Sequence, residues 1–316
     1  MEKYKDITFV VIGLNEGSIL DKCFKSIKNI NNNIIYVDSN STDNSIEIAK
    51  ENNVSKIVRL NSNYYSATLG RFVGAKYVKT KYIQFLDGDM TIEKEWVEEA
   101  LKKLDQEDDL AAVLGYKKVY TKNFDDYFLL KDEKEYEPDY MGGAFCIKKN
   151  VYDCIGGFDL KLPAEEERDL YIRIKEEGYK VKYLHHLMAS HFDFKSSGRN
   201  ILYSLTSYRA ASIFLPLINS IKRGTLSSWS FVYKKALPTL IVDLLSIFVF
   251  IVMLLGFTKI SFGIFIILFM QIISIIYSIK IKRKGYFIIW KSGILSLFKT
   301  IKILKRKINY KVEEIK

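Results

Sequence analysis

The chain has 316 residues, with 48 Lys and Arg against 37 Asp and Glu, a formal net charge of +11. That balance is uneven: residues 1–195 carry 29 basic and 34 acidic side chains, net −5, whereas residues 196–316 carry 19 and 3, net +16. Basic residues confined to a tail and flanking long apolar runs suit an anionic membrane surface and argue against nucleic acid as a partner.

In chain order, Met1 to Asp6 is charged and has no apolar stretch long enough for a signal peptide, so the first domain is expected to stay in the cytosol. Ile7 to Ile12 is a β-rich run ending at Gly13, after which Asn15-Glu16-Gly17-Ser18 opens a helix marked by Leu20, Phe24 and Ile27. Ile34 to Val37 repeats the pattern, leading through Asp38-Ser39-Asn40-Ser41-Thr42-Asp43-Asn44 into a helix with Ile46, Ile48 and Ala49, where Asn44 and Glu47 stand as a capping pair. A third strand at Lys56–Leu60 and a helix carrying Leu69, Phe72, Val73, Ala75 and Tyr77 precede a fourth strand, Tyr82–Leu86. Strands alternating with helices predict βαβ units and a parallel sheet that binds ligands at its carboxyl edge.

Asp87-Gly88-Asp89 follows the fourth strand directly. Two carboxylates this close repel each other, so both stay ionised only beside a cation, and hard oxygen ligands favour magnesium or manganese. Beyond a helix from Trp96 to about Leu104 and an apolar strand at Leu110–Gly115, paired glycines appear in Tyr140-Met141-Gly142-Gly143-Ala144 and in Ile155-Gly156-Gly157-Phe158-Asp159. Glu165-Glu166-Glu167-Arg168-Asp169 then opens a helix with Leu170, Ile172 and Ile174 on its inner face and Gly178 at its end, a place where acids also simply complement the helix dipole. Val181–Leu184 is strand-like, and the three histidines, His185, His186 and His191, lie in or beside the loop expected after it. The cysteines, Cys23, Cys146 and Cys154, show no CxxC spacing and are expected as buried, reduced thiols.

Together these stretches, spread over residues 7–195, resemble the inverting, nucleotide-sugar-dependent glycosyltransferases of the family 2 type, which have the GT-A fold. The resemblance implies donor-side roles for Asn15 and Glu16 after the first strand, and for Asp38 in the Asp-rich loop, where Ser39 replaces the usual second acid. It places Arg71, in Gly70-Arg71-Phe72-Val73-Gly74-Ala75, near the diphosphate, which a guanidinium can pair in fork geometry. Asp87 and Asp89 match the metal motif for Mn²⁺ or Mg²⁺, with His191 as a further metal or diphosphate ligand. Gly142, Gly143 and Ala144 match the acceptor-side loop. The Asp169-Leu170-Tyr171-Ile172-Arg173 pattern and Gly178-Tyr179 set the register of an acid pair on Glu166 and Glu167, with Glu167 as the base and Glu166 as its deputy.

The tail is apolar from Leu237 to Phe257 and again from Ile260 to Ile279, each run near the roughly 20 residues needed to cross hydrocarbon. Lys234-Lys235 before it and Lys280, Lys282, Arg283 and Lys284 after it put both ends on the cytoplasmic side; Asp243 is a costly charge in the first span, and a first helix that starts only at Leu244 would make the hairpin re-entrant instead of spanning. Mixed apolar and basic segments at 201–221 and 286–308, with Trp229, Trp290 and Lys302 through Lys307, predict helices lying in the interface.

The expected fold class is therefore α/β: GT-A, a Rossmann-like, mostly parallel sheet flanked by helices, followed by an all-α membrane-associated tail. Its expected domains are a catalytic domain at 1–199, amphipathic interface helices at 200–235, a transmembrane helical hairpin at 236–280 and a basic amphipathic segment at 281–316. The expected function is metal-dependent, inverting sugar transfer from a UDP, GDP or dTDP donor to a lipid-linked or glycan acceptor. The expected place is the cell membrane, with the catalytic domain facing the cytoplasm. Alternatives are a polyprenyl-phosphate sugar synthase, a nucleotidyltransferase, or a non-catalytic membrane protein that binds sugar nucleotides.

Overall fold

The computed structural model describes residues 4–120, 126–138, 141–162, 164–192, 214–234, 237–257, 259–280, 303 and 306–315. Two compact units divide the chain, one of residues 1–198 with 306–316 and one of residues 199–305.

In the first unit, β1 (Ile7–Gly13) is apolar at nearly every position and buried on both faces, as a central parallel strand must be. Its neighbours are β2 (Ile34–Asp38) and β4 (Tyr82–Asp87), with β3 (Lys56–Ser62) beyond β2, all parallel. Register pairs Gly13 with Asp38 and Ile12 with Asp87, so the three strands end level and deliver their loops to one edge. Helices α1 (Gly17–Lys28), α2 (Ser45–Glu51) and α3 (Ala67–Lys76) supply the crossovers. In α1, Leu20, Cys23, Phe24 and Ile27 recur at helical spacing and form the face that packs on the sheet.

Beyond β4 the sheet stops being parallel, which corrects the mostly parallel expectation. After β5 (Met90–Ile92), α4 (Lys94–Gln106) and β6 (Leu110–Tyr120), the chain turns back through β7 (Tyr127–Leu130), which pairs antiparallel with β6. β8 (Phe145–Lys148) inserts antiparallel between β4 and β6. Among the described residues no helix separates β6 from β8, and a parallel return needs a crossover of helical length. After α5 (Lys149–Cys154) and α6 (Glu166–Glu176), β9 (Lys180–Phe192) runs parallel to β6 and antiparallel to β5. This strand is 13 residues long, so His191 lies within it, paired with Met90, and not in a loop. Among the thiols, Cys23 and Cys146 are buried but Cys154 is exposed, because it lies at the solvent end of α5.

The basic segment expected at 281–316 ends differently from its prediction. β10 (Tyr310–Ile315) closes the edge of the catalytic sheet, antiparallel to β3. A strand forms here because β3 would otherwise leave an unpaired edge. Ile315 packs on the core, and Lys56 Nζ and Glu314 Oε2 pair at 2.7 Å.

In the second unit α7 (Phe214–Arg223) and α8 (Leu226–Val232) precede α9 (Leu237–Leu254) and α10 (Ile260–Lys280), which pack on each other. Among the described residues no helix is long and apolar enough to cross a membrane. The stretch expected as a transmembrane hairpin at 236–280 thus forms a pair of packed helices, and the described residues give no support to its crossing a membrane. The 18 residues of α9 rise about 27 Å, short of the roughly 30 Å of hydrocarbon, and include Asp243. Of the interface segments expected at 201–221 and 286–308, residues 201–213 and all of the second but 303 and 306–308 lie outside the described residues.

Candidate active site

Loops from β1 and β2 are stitched together at the carboxyl edge. Asn15 adopts a left-handed backbone, φ +56°. Its N–H donates to Ser41 Oγ at 2.9 Å and its Oδ1 accepts from the Thr42 N–H at 2.8 Å. The Glu16 N–H donates to Ser45 Oγ at 3.2 Å, and the Gly17 N–H to Asp43 Oδ2 at 2.9 Å. Asp43 Oδ1 accepts from the Ser45 N–H, so Asp43 takes the capping role expected of Asn44, which makes no side-chain cap. Asp38 is wholly buried: its oxygens accept from the Tyr36 hydroxyl at 3.2 Å and the Ser41 N–H at 2.9 Å. Asn15 and Asp38 thus build the loop, and Asp38 shows no exposed oxygen to a nucleoside.

Arg71, on α3, is the hub of the site. Its guanidinium donates through Nη2 to Asp87 Oδ1 at 2.7 Å and through Nη1 to Glu166 Oε1 at 2.6 Å and Glu167 Oε1 at 3.3 Å. Only 3 % of the side chain is exposed, and Glu166 and Glu167 are buried with it. The acid after β4 and the two acids at the start of α6 are thereby gathered on one cation. Gly143 lies against that cluster: a Cβ there would stand 2.6 Å from Arg71 Nη2 and 2.9 Å from Asp87 Oδ2, so any side chain at this point would have to displace the Arg71–Asp87 pair. Gly142 takes the left-handed turn before it, φ +74°, and Ala144 is buried.

The start of α6 is held in place by the rest of its motif. Asp169 accepts from Arg173 Nε at 2.9 Å, and Arg173 Nη1 donates to the Ile155 and Gly157 carbonyls at 2.6 and 2.5 Å. Glu165, the residue before the helix, sits at φ +62°, a strained conformation for glutamate of the kind found where surrounding structure fixes a site.

Asp89 and His191 meet beside this cluster, Oδ2 to Nε2 at 3.2 Å. Gly88 lets the chain fold under β1, its N–H donating to the Ile12 carbonyl at 2.8 Å. The second Asp89 oxygen, Oδ1, is buried and makes no hydrogen bond. Among the described residues no group of three or more His, Cys, Asp or Glu side chains converges as a cation site. Asp87, expected as a metal ligand, has Oδ1 committed to Arg71.

The sequence profile described as Glycosyl transferase family 2 matches residues 8–161, the stretch that builds this edge. The chain is a glycosyltransferase, and the part that matches the family 2 profile is just under half of it. No curated protein matches the sequence. Among solved structures, the mannosyltransferase PcManGT from Pyrobaculum calidifontis with GDP-Man and Mn²⁺ is similar over 95% of this chain and 87% of its own, at 11% identity and TM-score 0.59. GalNAc-T7 with UDP, GalNAc and Mn²⁺ is similar over 67% of this chain and 48% of its own, at 14% identity and TM-score 0.54. S. aureus TarS 1–349 with UDP-GlcNAc is similar over 67% and 66%, at 16% identity and TM-score 0.52. The chain thus spans about half the length of the first of these three to be matched by shape, GalNAc-T7. At such identities the likeness shows the GT-A fold.

Within the glycosyltransferase domain the site's charges are tuned by burial and by one another. Burial pushes the Glu167 carboxyl up to about 8, with Glu166 beside it adding to the rise and Arg71 opposing it. Burial works against the Arg71 charge, but Asp87, Glu167 and Glu166 outweigh it and hold the guanidinium protonated. Burial also opposes a charged His191, yet the Asp89 hydrogen bond leaves its affinity for a proton raised. One residue in this field escaped the sequence reading. Lys117, on the stretch of β6 beyond the predicted strand, feels Asp87, Glu167 and Asp89, and burial lowers its pKa. The signal available was a lysine pair immediately following an apolar strand in the acidic half of the chain.

Proposed function

We propose that this glycosyltransferase moves a sugar, with inversion, from a nucleotide-sugar donor of the UDP, GDP or dTDP type to a lipid-linked or glycan acceptor, using Mn²⁺ or Mg²⁺. The observation that carries the reading is the Arg71 hub, which joins the acid at the end of β4 to the acid pair at the start of α6. A nucleotide-binding edge needs no buried acid pair opposite it. A transferase does, because a sugar hydroxyl is a poor nucleophile until a positioned base accepts its proton.

Glu167 is that base, and its raised proton affinity suits a group that must take a proton near neutral pH. Glu166, nearer to Arg71 at 2.6 Å, keeps the guanidinium in place. Glu16, Asn15 and Asp38 shape the donor end through the two stitched loops. Gly142, Gly143 and Ala144 let the acceptor-side backbone approach the Arg71–Asp87 pair.

The donor set fits a hard divalent ion: Asp89 holds a buried oxygen without a hydrogen bond, and His191 stands 3.2 Å from the other. An ion of this kind is commonly held by one or two side chains and completed by substrate phosphates, so a convergent cluster of three is not needed. Asp89 and His191 would hold it, with Asp87 alongside, and when bound it draws off the charge that builds on the departing diphosphate. Relatives in fold hold UDP and GalNAc with Mn²⁺, UDP-GlcNAc, or GDP-Man with Mn²⁺, which supports the donor class.

The acceptor is membrane-associated and the enzyme works at the cytoplasmic face of the cell membrane. Support comes from α9 and α10, which expose Phe248, Leu254, Phe265, Leu268 and Phe269, far more apolar surface than a soluble helix pair leaves to water. The test is release of nucleoside diphosphate by the purified protein from a panel of UDP-, GDP- and dTDP-sugars, with and without Mn²⁺. Metal-dependent release from one donor is expected. Binding of nucleotides with no release in the presence of membrane extract would overturn the transferase reading.

A further inference from the structure

Arg71 was the cation that the sequence offered to the donor's diphosphate, but its guanidinium is already shared among three carboxylates, two of them buried. A second basic side chain lies on the face of the sheet that carries His191. Lys117 pairs with Ala189 across β6 and β9, in the register that sets Val119 opposite His191. In a strand, side chains two apart share a face, so Lys117 lies on the His191 side of the sheet, while Lys118 turns to the other face, its Nζ 5.5 Å above the Tyr127 ring. Lys117 is half-buried and lies within electrostatic reach of Asp87, Glu167, Asp89 and Arg71. Among the described residues no carboxylate approaches its ammonium within ion-pairing distance, and no further partner is recorded for it.

A half-buried ammonium without a hydrogen-bonded anion is costly to fold around and is retained where an anion arrives later. On the sheet face that carries His191, whose Nε2 meets Asp89 Oδ2 at 3.2 Å, the anion suited to it is phosphate. Resting on the donor class given above, we infer that Lys117 is the side chain that meets the diphosphate of the nucleotide donor, while Arg71 serves as the internal counter-charge of the acids. A compact, mobile ammonium suits this task, since it can follow the phosphate oxygens as the sugar departs.

The experiment is calorimetric titration of wild type, Lys117→Met and Lys117→Arg with UDP, GDP, dTDP and the matching nucleosides, in Mn²⁺. A charge-assisted hydrogen bond to phosphate predicts that Lys117→Met weakens the preferred nucleoside diphosphate about 10–100-fold, leaves nucleoside affinity unchanged, and is partly restored in Lys117→Arg. Melting temperature controls for folding: replacing a half-buried ammonium by an apolar chain of similar length should leave it unchanged or raise it. Equal diphosphate affinity in Lys117→Met and wild type would overturn the inference while leaving the transferase reading intact. Failure of the wild type itself to bind any of the three diphosphates would bring down the donor class and the inference with it.

Discussion

Replacing Arg71 by methionine tests the hub directly. The substitution keeps most of the side-chain volume but removes the charge from between Asp87, Glu166 and Glu167, at 2.7, 2.6 and 3.3 Å. Glu166 and Glu167 are only 5 % and 10 % exposed, whereas Asp87 is 31 % exposed and can be screened by water, so the two glutamates dominate the loss. Stranding buried charge costs about 3–5 kcal/mol. For a domain of this size that corresponds to a fall in melting temperature of about 6–20 °C. The glutamates have an escape, which is to bind protons. Burial raises the proton affinity of Glu167 with Arg71 present, and removing Arg71 removes the influence that opposes the rise. A raised carboxyl holds its proton in the folded state at pH values where the unfolded chain has lost it, so stability falls as pH rises from about 4.5 toward the folded value. The deficit of Arg71→Met should therefore be small at pH 5 and full at pH 8, read by calorimetric melting of both proteins across that range. A fall below about 2 °C at pH 8, or an equal fall at both pH values, would refute the idea that Arg71 balances the acid pair.

Glu167→Gln should keep donor affinity within about two-fold while transfer drops on the order of 10²–10⁴-fold, and wild-type kcat/KM should climb with pH and level off above about 8, where Glu167 is free to accept a proton. A full-rate variant, or a flat profile between pH 6 and 9, would contradict the assignment. Gly143→Ala should cost about 1–3 kcal/mol of stability and lower transfer, because its Cβ would press on Arg71 Nη2 at 2.6 Å; chemical denaturation reads the first and the donor assay the second. Ending the chain after Lys305 removes β10 and should cost hydrogen-exchange protection at the β3 amides while sparing β1 and β4; unchanged protection at β3 would mean that the edge is held by other means.

How far the sequence reached depended on how local the determinants were. β1 to β4 and their helices were legible because each is a short apolar run followed by a helical period, and register then levels Asn15, Asp38 and Asp87 at one edge. The Glu166–Glu167 pair was placed by the Asp169–Arg173 spacing, which the structure shows as the contact that anchors the turn at Ile155–Gly157 to α6. Arg71 was singled out for a diphosphate, and the carboxylates it pairs with here were not foreseen, since guanidinium–carboxylate and guanidinium–phosphate pairing look alike in sequence. The second half of the sheet was harder. β8 returns antiparallel, β9 runs on through three histidines, and β10 joins from more than 240 residues away in sequence, none of which leaves a local pattern. Lys117 lay unnoticed because its face is set by pairing with β9.

The most direct measurement of the central claim is the anomeric configuration of the first product, followed by proton NMR in a transfer reaction with the accepted nucleotide sugar and Mn²⁺. Inversion relative to the donor, with release of nucleoside diphosphate and loss of both signals in Glu167→Gln, is the expected result. Retention of configuration, or release of nucleoside monophosphate instead, would contradict a single displacement assisted by the acid on α6.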